Sequence, residues 1–218
     1  MASRELVVLV HGLWMSSWSQ WYLARQLRKA GYAVVCFKYP TVFGSLQNNS
    51  QKLLAELVKL TPQFEKIHIT AHSLGGFVVL DALKKKPLPN IGRVILLASP
   101  INGSLVCQAL ERWPRPIRGL FGKSFAPLRD GISIPDGYDV VCVAGNGGFG
   151  IGHFIAPVSA PHDGAVSVEE VRPVDRYPLH IINVSHFSML WSQKTVQAIA
   201  YYLRCNKFNL DSKPQVKL

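Results

Sequence analysis

The chain has 218 residues, of which 48% are hydrophobic, and it carries 24 Lys and Arg against 13 Asp and Glu. This composition excludes an intrinsically disordered chain, and the length favours one domain over two. The net charge of +11 favours acidic partners such as anionic lipid or nucleic acid, although an ordinary basic surface is the simpler explanation.

The four cysteines are widely spaced and include no C-x-x-C pair. Cys36 and Cys142 lie in apolar runs, where a free cysteine behaves as a small hydrophobic residue. A disulfide framework is not expected in such a chain, and a reducing compartment fits best. No apolar stretch approaches the length of a membrane span and no signal-peptide core precedes the first predicted strand, so we expect a cytoplasmic protein.

Short β-branched runs alternate with helical patterns along the chain. The predicted strands are near-continuous apolar runs, typical of parallel strands covered on both faces; they are Leu6–Val10, Ala33–Phe37, Ile67–Thr70, Val94–Leu97, Val140–Val143 and His180–Val184. Helices are predicted at Trp18–Lys29, Leu46–Leu60, Gly75–Lys85 and Ser192–Leu203, the last with Ser192 as its N-cap. The alternation predicts an α/β fold with a mostly parallel central sheet of about six or more strands flanked by helices, with sites at the carboxyl ends of strands.

Two segments interrupt this alternation. Residues Trp113–Pro135 are rich in Pro, Gly and basic side chains, and we predict an irregular insertion that forms at most a small cap. Residues Gly145–Pro161 are predicted to form a long glycine-rich loop, and loops of this length are usually functional or mobile. We therefore expect a single domain over residues 1–205 and a flexible polar tail over residues 206–218.

The strongest chemical signal is Thr70-Ala71-His72-Ser73-Leu74-Gly75-Gly76, which follows an apolar strand and opens a helix. A serine on such a tight turn presents its hydroxyl at the top of the sheet, so Ser73 is the predicted nucleophile. The positions two before and two after it must be small; here they are Ala71, where glycine is usual, and Gly75. His72 adjoins the nucleophile and is expected to pack beneath the turn.

The predicted base is His186, which follows the last strand and precedes the last helix. The acid should lie between Ser73 and His186 in chain order. Asp163 lies in a tight turn 23 residues before His186, and its carboxylate there can fix the imidazole tautomer. Asp139 is the rival acid, but it precedes its strand.

An oxyanion needs preorganised N–H donors, typically a pair. Leu74, just after the nucleophile and at a helix N-terminus, is predicted to supply one. Leu13, in the run His11-Gly12-Leu13-Trp14 after the first strand, is predicted to supply the other. His153 and His162 are the remaining alternatives for the base.

Aromatic side chains near the predicted strand-end loops are candidates for lining an acyl pocket. We take Trp14 and Phe187 as the substrate-binding residues. The further candidates are Trp113, Phe121, Phe125, Phe149 and Phe154.

Four motifs together resemble those of compact bacterial lipases and esterases of the α/β-hydrolase superfamily; they are His11-Gly12-Leu13-Trp14, Ala71–Gly76, His162-Asp163-Gly164 and Ser185-His186. Leu97–Ser104 also resembles the loop after the strand that follows the nucleophile in such enzymes. The resemblance runs from about Val7 to Leu203, and it departs at Ala71, at the insertion and at the glycine-rich loop. It implies an α/β-hydrolase fold with Ser73, Asp163 and His186 as the catalytic set and Leu13 and Leu74 as oxyanion donors.

These features predict a serine hydrolase that cleaves carboxylic esters through an acyl-enzyme on Ser73, with a small-molecule ester or acyl compound as substrate and no cofactor or metal. A thioesterase, an amidase or an acyltransferase would use the same residues, and a non-catalytic protein that binds an acyl or other small ligand is the alternative from another class. Nucleic acid is not expected, because no binding motif accompanies Lys84-Lys85-Lys86. An anionic lipid surface is a hypothesis motivated by the basic insertion, and the oligomeric state is left open.

Overall fold

The computed structural model describes residues 4–148, 150, 158–174 and 177–204, and these residues fold around one central sheet. The strands are β1 (Glu5–Val10), β2 (Ala33–Phe37), β3 (Lys66–His72), β4 (Ile91–Leu97), β5 (Asp139–Gly145) and β6 (Leu179–Ile182). They are hydrogen-bonded in the order β2-β1-β3-β4-β5-β6, and every pair is parallel. This sheet confirms the predicted fold class, and each predicted strand coincides with or overlaps an observed one.

Helices cover both faces of the sheet. Those described are α1 (Trp21–Lys29), α2 (Leu46–Leu60), α3 (Leu74–Lys85), α4 (Leu105–Leu110), α5 (Arg115–Gly119), α6 (Phe125–Asp130), α7 (Val168–Val171) and α8 (Gln193–Arg204). Leucines of α2 and α3 pack into the core on one face, whereas α1 and α8 pack into the core on the other. The four helices predicted from periodicity are all present, and α1 begins three residues late because a 3₁₀ turn, Ser17–Gln20, precedes it.

The strands are buried on both faces. In β1, Leu6, Val8 and Val10 face the core beneath α2 and α3, while Val7 and Leu9 face the core beneath α1 and α8. A strand covered on both sides has no polar face. For this reason the strands appear in the sequence as continuous apolar runs instead of alternating patterns.

Local sequence explains where the helices begin. The Ser45 hydroxyl accepts a hydrogen bond from the Asn48 N–H at 3.2 Å and so caps α2. The Ser192 hydroxyl accepts one from the Lys194 N–H at 3.2 Å, as the predicted N-cap of α8 should. Each bond satisfies a backbone donor that the first turn of a helix leaves free.

The segment Trp113–Pro135 differs from its prediction, because much of it is helical. It contains α5, a 3₁₀ turn at Gly122–Ser124 and α6, and with α4 these form a small cap, which we name the helical cap (residues 105–130). Proline in the first turn of a helix removes an N–H that has no partner there, so the prolines do not exclude α5. The Lys123 N–H and the Ser124 hydroxyl donate to the carbonyls of Val42 and Thr41, at 2.9 and 2.5 Å, and these bonds attach the cap to the loop after β2.

In the described part of the chain, no helix is both long and apolar enough to cross a membrane. The described cysteines, Cys36, Cys107 and Cys142, are free thiols. The predicted tail at 206–218 lies outside the described residues.

The sheet order places the ends of β1 and β3 side by side, while β2 lies on the other side of β1. In an open parallel sheet, a crevice forms at the carboxyl ends of strands where the order of connection reverses. The loops that follow β1 and β3 contain Leu13 and Ser73, so the fold brings these two residues to the same crevice.

Candidate active site

Ser73 lies between β3 and α3 in a strained conformation. Its backbone has φ of 53° and ψ of −121°, which non-glycine residues rarely adopt. Its N–H donates to the Leu97 carbonyl at 2.8 Å, a bond that ties the turn to the end of β4. Strain of this kind persists only where the surroundings enforce it, and it is common at catalytic turns.

Glycines permit the close packing around this turn. A Cβ on Gly75 would lie 2.5 Å from the Val10 carbonyl oxygen and 2.7 Å from that of His11. A Cβ on Gly12 would lie 2.9 Å from Nδ1 of His72. The end of β1 and the start of α3 can therefore meet only because both positions lack a side chain.

His186 lies in the loop after β6 and is held by Asp163. Its Nδ1 donates to Oδ2 of Asp163 at 2.7 Å, and its backbone N–H donates to the Asp163 carbonyl at 2.9 Å. The other carboxylate oxygen, Oδ1, accepts the N–H groups of Ala165 and Val166 at 2.9 and 2.8 Å. The contacts to Oδ1 and Oδ2 hold the buried carboxylate against the imidazole, and the backbone bond joins the two loops.

The two pKa shifts agree with an ion pair. Burial lowers the pKa of His186, but the charge of Asp163 and the hydrogen bond to it outweigh burial, and the net shift is upward. Burial raises the pKa of Asp163, but the His186 charge and three hydrogen bonds outweigh it, and the net shift is downward. With Nδ1 donating to the carboxylate, Nε2 is the ring nitrogen left to accept a proton.

Asp139, the rival acid, lies elsewhere. It begins β5, so it lies at the opposite edge of the sheet from Ser73, and its Oδ2 accepts a hydrogen bond from Nε of Arg93 at 2.9 Å. The structure therefore brings Asp163 to His186 and leaves Asp139 in a separate ion pair.

Three other histidines, His72, His11 and His162, form hydrogen bonds or ring contacts within the protein. Nε2 of His72 donates to the His186 carbonyl at 3.0 Å. Burial and the positive charge of His186 lower the pKa of His72 to about 3, so it stays neutral. His11 stacks on Tyr39, whose hydroxyl donates to the His11 carbonyl at 2.5 Å. Nδ1 of His162 accepts the N–H of Gly164, and His153 lies outside the described residues.

The two predicted oxyanion donors border the same crevice. Leu74 is the first residue of α3, where backbone N–H groups have no partner within the helix. In the loop after β1, the Trp14 N–H donates to Oγ1 of Thr41 at 3.2 Å and the Met15 N–H to the Gly12 carbonyl at 3.3 Å. The N–H groups of Trp14 and Met15 are therefore engaged within the protein, and Leu13 stays the predicted donor of this loop.

A mainly apolar cavity of about 200 Å³ opens beside Ser73 and His186, and we name it the central cavity. Residues from the helical cap line much of it, including Val106, Leu110, Trp113, Ile117 and Leu128. Of the aromatic candidates, Trp14, Trp113, Phe121 and Phe187 line it. Phe125 instead packs edge-on against Phe121, with ring centroids 6.0 Å apart, and Phe149 and Phe154 lie outside the described residues.

Trp14 joins the site to the cap. Its indole N–H donates to the Leu120 carbonyl at 2.8 Å, and its ring packs against Phe121 with centroids 4.9 Å apart. Its backbone φ of 58° is unusual for a bulky residue. Trp14 therefore connects the loop after β1 to the wall of the central cavity.

Glu170 supports the site, although its role was not predicted from the sequence. Its buried carboxylate accepts the N–H of Ser167 at 2.7 Å and that of Leu105 at 2.9 Å, joining the loop of Asp163 to the start of α4. Ser167 and Glu170 form a capping box on α7, and the spacing S-x-x-E is its signal in the sequence. Burial raises the pKa of Glu170, although the hydrogen bonds it accepts oppose the shift.

In the described ranges, no three His, Cys, Asp or Glu side chains are grouped so that they could hold a metal ion. The functional groups described at this site are a hydroxyl, an imidazole, a carboxylate and backbone N–H groups.

Comparison with known proteins gives the family. Residues 7–194 match the model of the Alpha/beta hydrolase family, and the chain belongs to that family. The comparison with curated proteins gave no significant match.

Among solved structures, the chain is similar to the lipase BlEst2 of Bacillus licheniformis. The mature form has 21% identity and a TM-score of 0.73 over 90% of this chain and 89% of that one. The propeptide form has 25% identity and a TM-score of 0.77 over 93% of this chain and 51% of that one. It is also similar to the esterase Pf2001 of Pyrococcus furiosus, with 17% identity and a TM-score of 0.62 over 92% of this chain and 82% of that one.

Proposed function

We propose that the protein is a serine esterase that hydrolyses carboxylic esters through an acyl-enzyme on Ser73. The observation that carries the proposal is the buried Asp163–His186 hydrogen bond of 2.7 Å, at a cavity that His186 and the strained Ser73 both line. The family membership, and the lipase and esterase named among similar structures, support the same reaction class.

In the first half of the reaction, Nε2 of His186 takes the proton of the Ser73 hydroxyl as its oxygen attacks the ester carbonyl carbon. The carbonyl oxygen becomes an oxyanion, which accepts hydrogen bonds from the N–H groups of Leu13 and Leu74. Asp163 stabilises the imidazolium and holds Nδ1–H, so that Nε2 keeps facing the reaction.

When the tetrahedral intermediate collapses, the bond to the leaving oxygen breaks and His186 protonates the departing alkoxide. Water then enters, His186 removes its proton, and the hydroxide attacks the acyl carbonyl. A second collapse releases the carboxylic acid and returns the proton to Ser73.

The central cavity has apolar walls, so the part of the substrate that binds in the cavity should be an apolar acyl group. Leucine, isoleucine, valine and aromatic side chains form most of the lining. Burying the acyl chain against them supplies binding free energy of about 0.8 kcal/mol per methylene group.

The proposal is tested with chromogenic esters of increasing acyl length. We expect the wild-type chain to hydrolyse them and Ser73→Ala to lower kcat at least about a thousandfold. Ser133→Ala, at an exposed position that follows the cap, is the control and should leave kcat unchanged. A folded wild-type protein that cleaves none of these esters, or a Ser73→Ala variant with full activity, would contradict the proposal.

A further inference from the structure

The outer surface of the helical cap combines unpaired cations with exposed apolar side chains. Residues 112–123 contain Arg112, Arg115, Arg118 and Lys123 and no Asp or Glu. Across the described residues, none of these four cations forms an ion pair with a carboxylate, whereas the nearby Arg129 is paired with both Glu111 and Asp130. Arg112, Arg115 and Lys123 are exposed and Arg118 is half-buried, so this surface carries uncompensated positive charge.

The exposed apolar groups lie at the mouth of the central cavity. Trp14, Trp113, Leu120 and Phe187 all line the cavity, yet each keeps 42–59% of its surface exposed. Phe43, exposed at 84%, lies one residue after Val42, whose carbonyl accepts the Lys123 N–H. Exposed apolar groups gathered at one opening mark a binding surface more often than isolated ones do.

We propose that this face of the cap docks the protein on an anionic phospholipid surface, so that the mouth of the central cavity faces the lipid. Guanidinium and ammonium groups bind lipid phosphates, while tryptophan, leucine and phenylalanine enter the interfacial region of the bilayer. Nucleic acid would pair with the cations through its phosphates but would leave Leu120 and Phe43 in water. The inference rests on the proposed function for its purpose, since an ester substrate would enter the cavity directly from the lipid.

Binding is tested by co-sedimentation of the full chain with phosphatidylcholine vesicles that do or do not contain phosphatidylglycerol. We expect binding only to the anionic vesicles, with loss of binding at ~0.5 M salt. Each cation close to an anionic surface strengthens binding about fivefold, so the triple variant Arg112→Gln, Arg115→Gln and Lys123→Gln should bind about a hundredfold more weakly.

The matched control removes the same charge from the opposite edge of the sheet, with Lys29→Gln, Lys59→Gln and Lys86→Gln. Lys29 lies at the end of α1, Lys59 near the end of α2 and Lys86 just after α3, and all three are exposed. This variant should bind the vesicles within about twofold of wild type, because charges farther away than a Debye length are screened.

The apolar contribution is tested separately with Phe43→Ser, which should weaken binding to anionic vesicles about tenfold. Hydrolysis of a short, water-soluble ester should be unchanged in Phe43→Ser and in both triple variants. The two readouts separate the two proposals. A variant that no longer docks should still hydrolyse the soluble ester. If the protein is not an esterase, binding to anionic vesicles should still be observed.

Three outcomes would overturn the docking proposal. The first is equal binding to neutral and anionic vesicles, or none to either. The second is equal weakening in the cap variant and in the control variant, which would assign binding to overall charge. The third is cap-dependent binding to heparin or polyglutamate without vesicle binding, which would assign the face to nucleic acid or to an acidic protein.

Discussion

Asp163 holds His186 through both side chain and backbone. The carboxylate accepts the imidazole N–H, and the Asp163 carbonyl accepts the His186 backbone N–H. The His72 ring adds a third restraint by donating to the His186 carbonyl. The orientation of His186 is therefore fixed by contacts that do not depend on a substrate.

Asp163→Asn should lower kcat about 10⁴-fold with little change in the far-UV circular dichroism spectrum. The amide oxygen can still accept the N–H groups of Ala165 and Val166, but the amide N–H₂ would face Nδ1 and favour the wrong imidazole tautomer. The measurement is steady-state hydrolysis of the best ester found for wild type. Asp139→Asn is the matched control, because its partner Arg93 is remote from the site, and a loss there equal to that of Asp163→Asn would refute the assignment.

The pH profile should report His186. Although burial opposes it, Asp163 raises the pKa of His186 above the ordinary value for histidine, and the base must be neutral. We therefore expect kcat/KM to rise with pH through an apparent pKa above that ordinary value and to fall about tenfold per pH unit below it. His72, with a pKa of about 3, stays neutral over this range.

Removing the Asp163 charge leaves burial to dominate, so the residual activity of Asp163→Asn should show a lower apparent pKa than wild type. An equal or higher value would mean that another group controls the profile. The measurement is kcat/KM over a pH series in buffers of constant ionic strength.

Individual residues differ in how far the sequence could predict their placement. Ser73 is marked by a local motif, because the turn needs small neighbours at fixed positions. The hydrogen bond between His186 and Asp163 depends on two loops meeting. Chain order admits both Asp163 and Asp139, so the sequence could rank Asp163 first only because Asp139 precedes its strand. Glu170 was missed because its burial and its bond to Leu105 arise from tertiary packing.

At the scale of elements, the contact between the end of β1 and the start of α3 positions both predicted oxyanion donors. Gly75→Ala should disrupt this contact, since the new methyl group would meet two backbone carbonyls that cannot move aside. We expect a loss of about 1–3 kcal/mol in the free energy of unfolding, together with reduced kcat.

Urea denaturation and ester hydrolysis measure these two effects. Gly119→Ala in α5 is the control, because a Cβ there meets nothing within 4 Å and alanine favours a helix. Equal stability of Gly75→Ala and wild type would show that the β1–α3 contact is looser than described.

Long elements were predictable and short ones were not. Helix α2, with 15 residues, buries Leu53, Leu57 and Leu60 at helical spacing, a pattern visible in the sequence. Helices α4 to α7 have four to six residues each, too few for a periodic pattern to emerge. The proline and glycine residues in the cap also suggested irregular structure. The short helices form there because tertiary contacts hold them in place.

At the scale of the whole molecule, the site depends on segments that are far apart in the chain. Leu13, Ser73, Asp163 and His186 follow different strands, and the parallel sheet brings those strand ends to one edge. The fold class and the edge were predictable from alternating strands and helices. The central cavity was not predictable from the sequence, because it forms between that edge and a cap whose short helices have no clear periodic pattern.

Because the site is assembled from remote segments, an activated Ser73 requires the folded chain. This requirement allows the most direct test of the central claim that Ser73 is an activated nucleophile. The measurement is covalent labelling with a fluorophosphonate probe, read by intact mass and peptide mapping, on native and urea-unfolded protein. We predict a single adduct on Ser73 in the native chain, lost in Ser73→Ala, strongly reduced in His186→Ala and absent after unfolding. No adduct on the folded chain, or an adduct that persists in His186→Ala at the wild-type rate, would contradict the account.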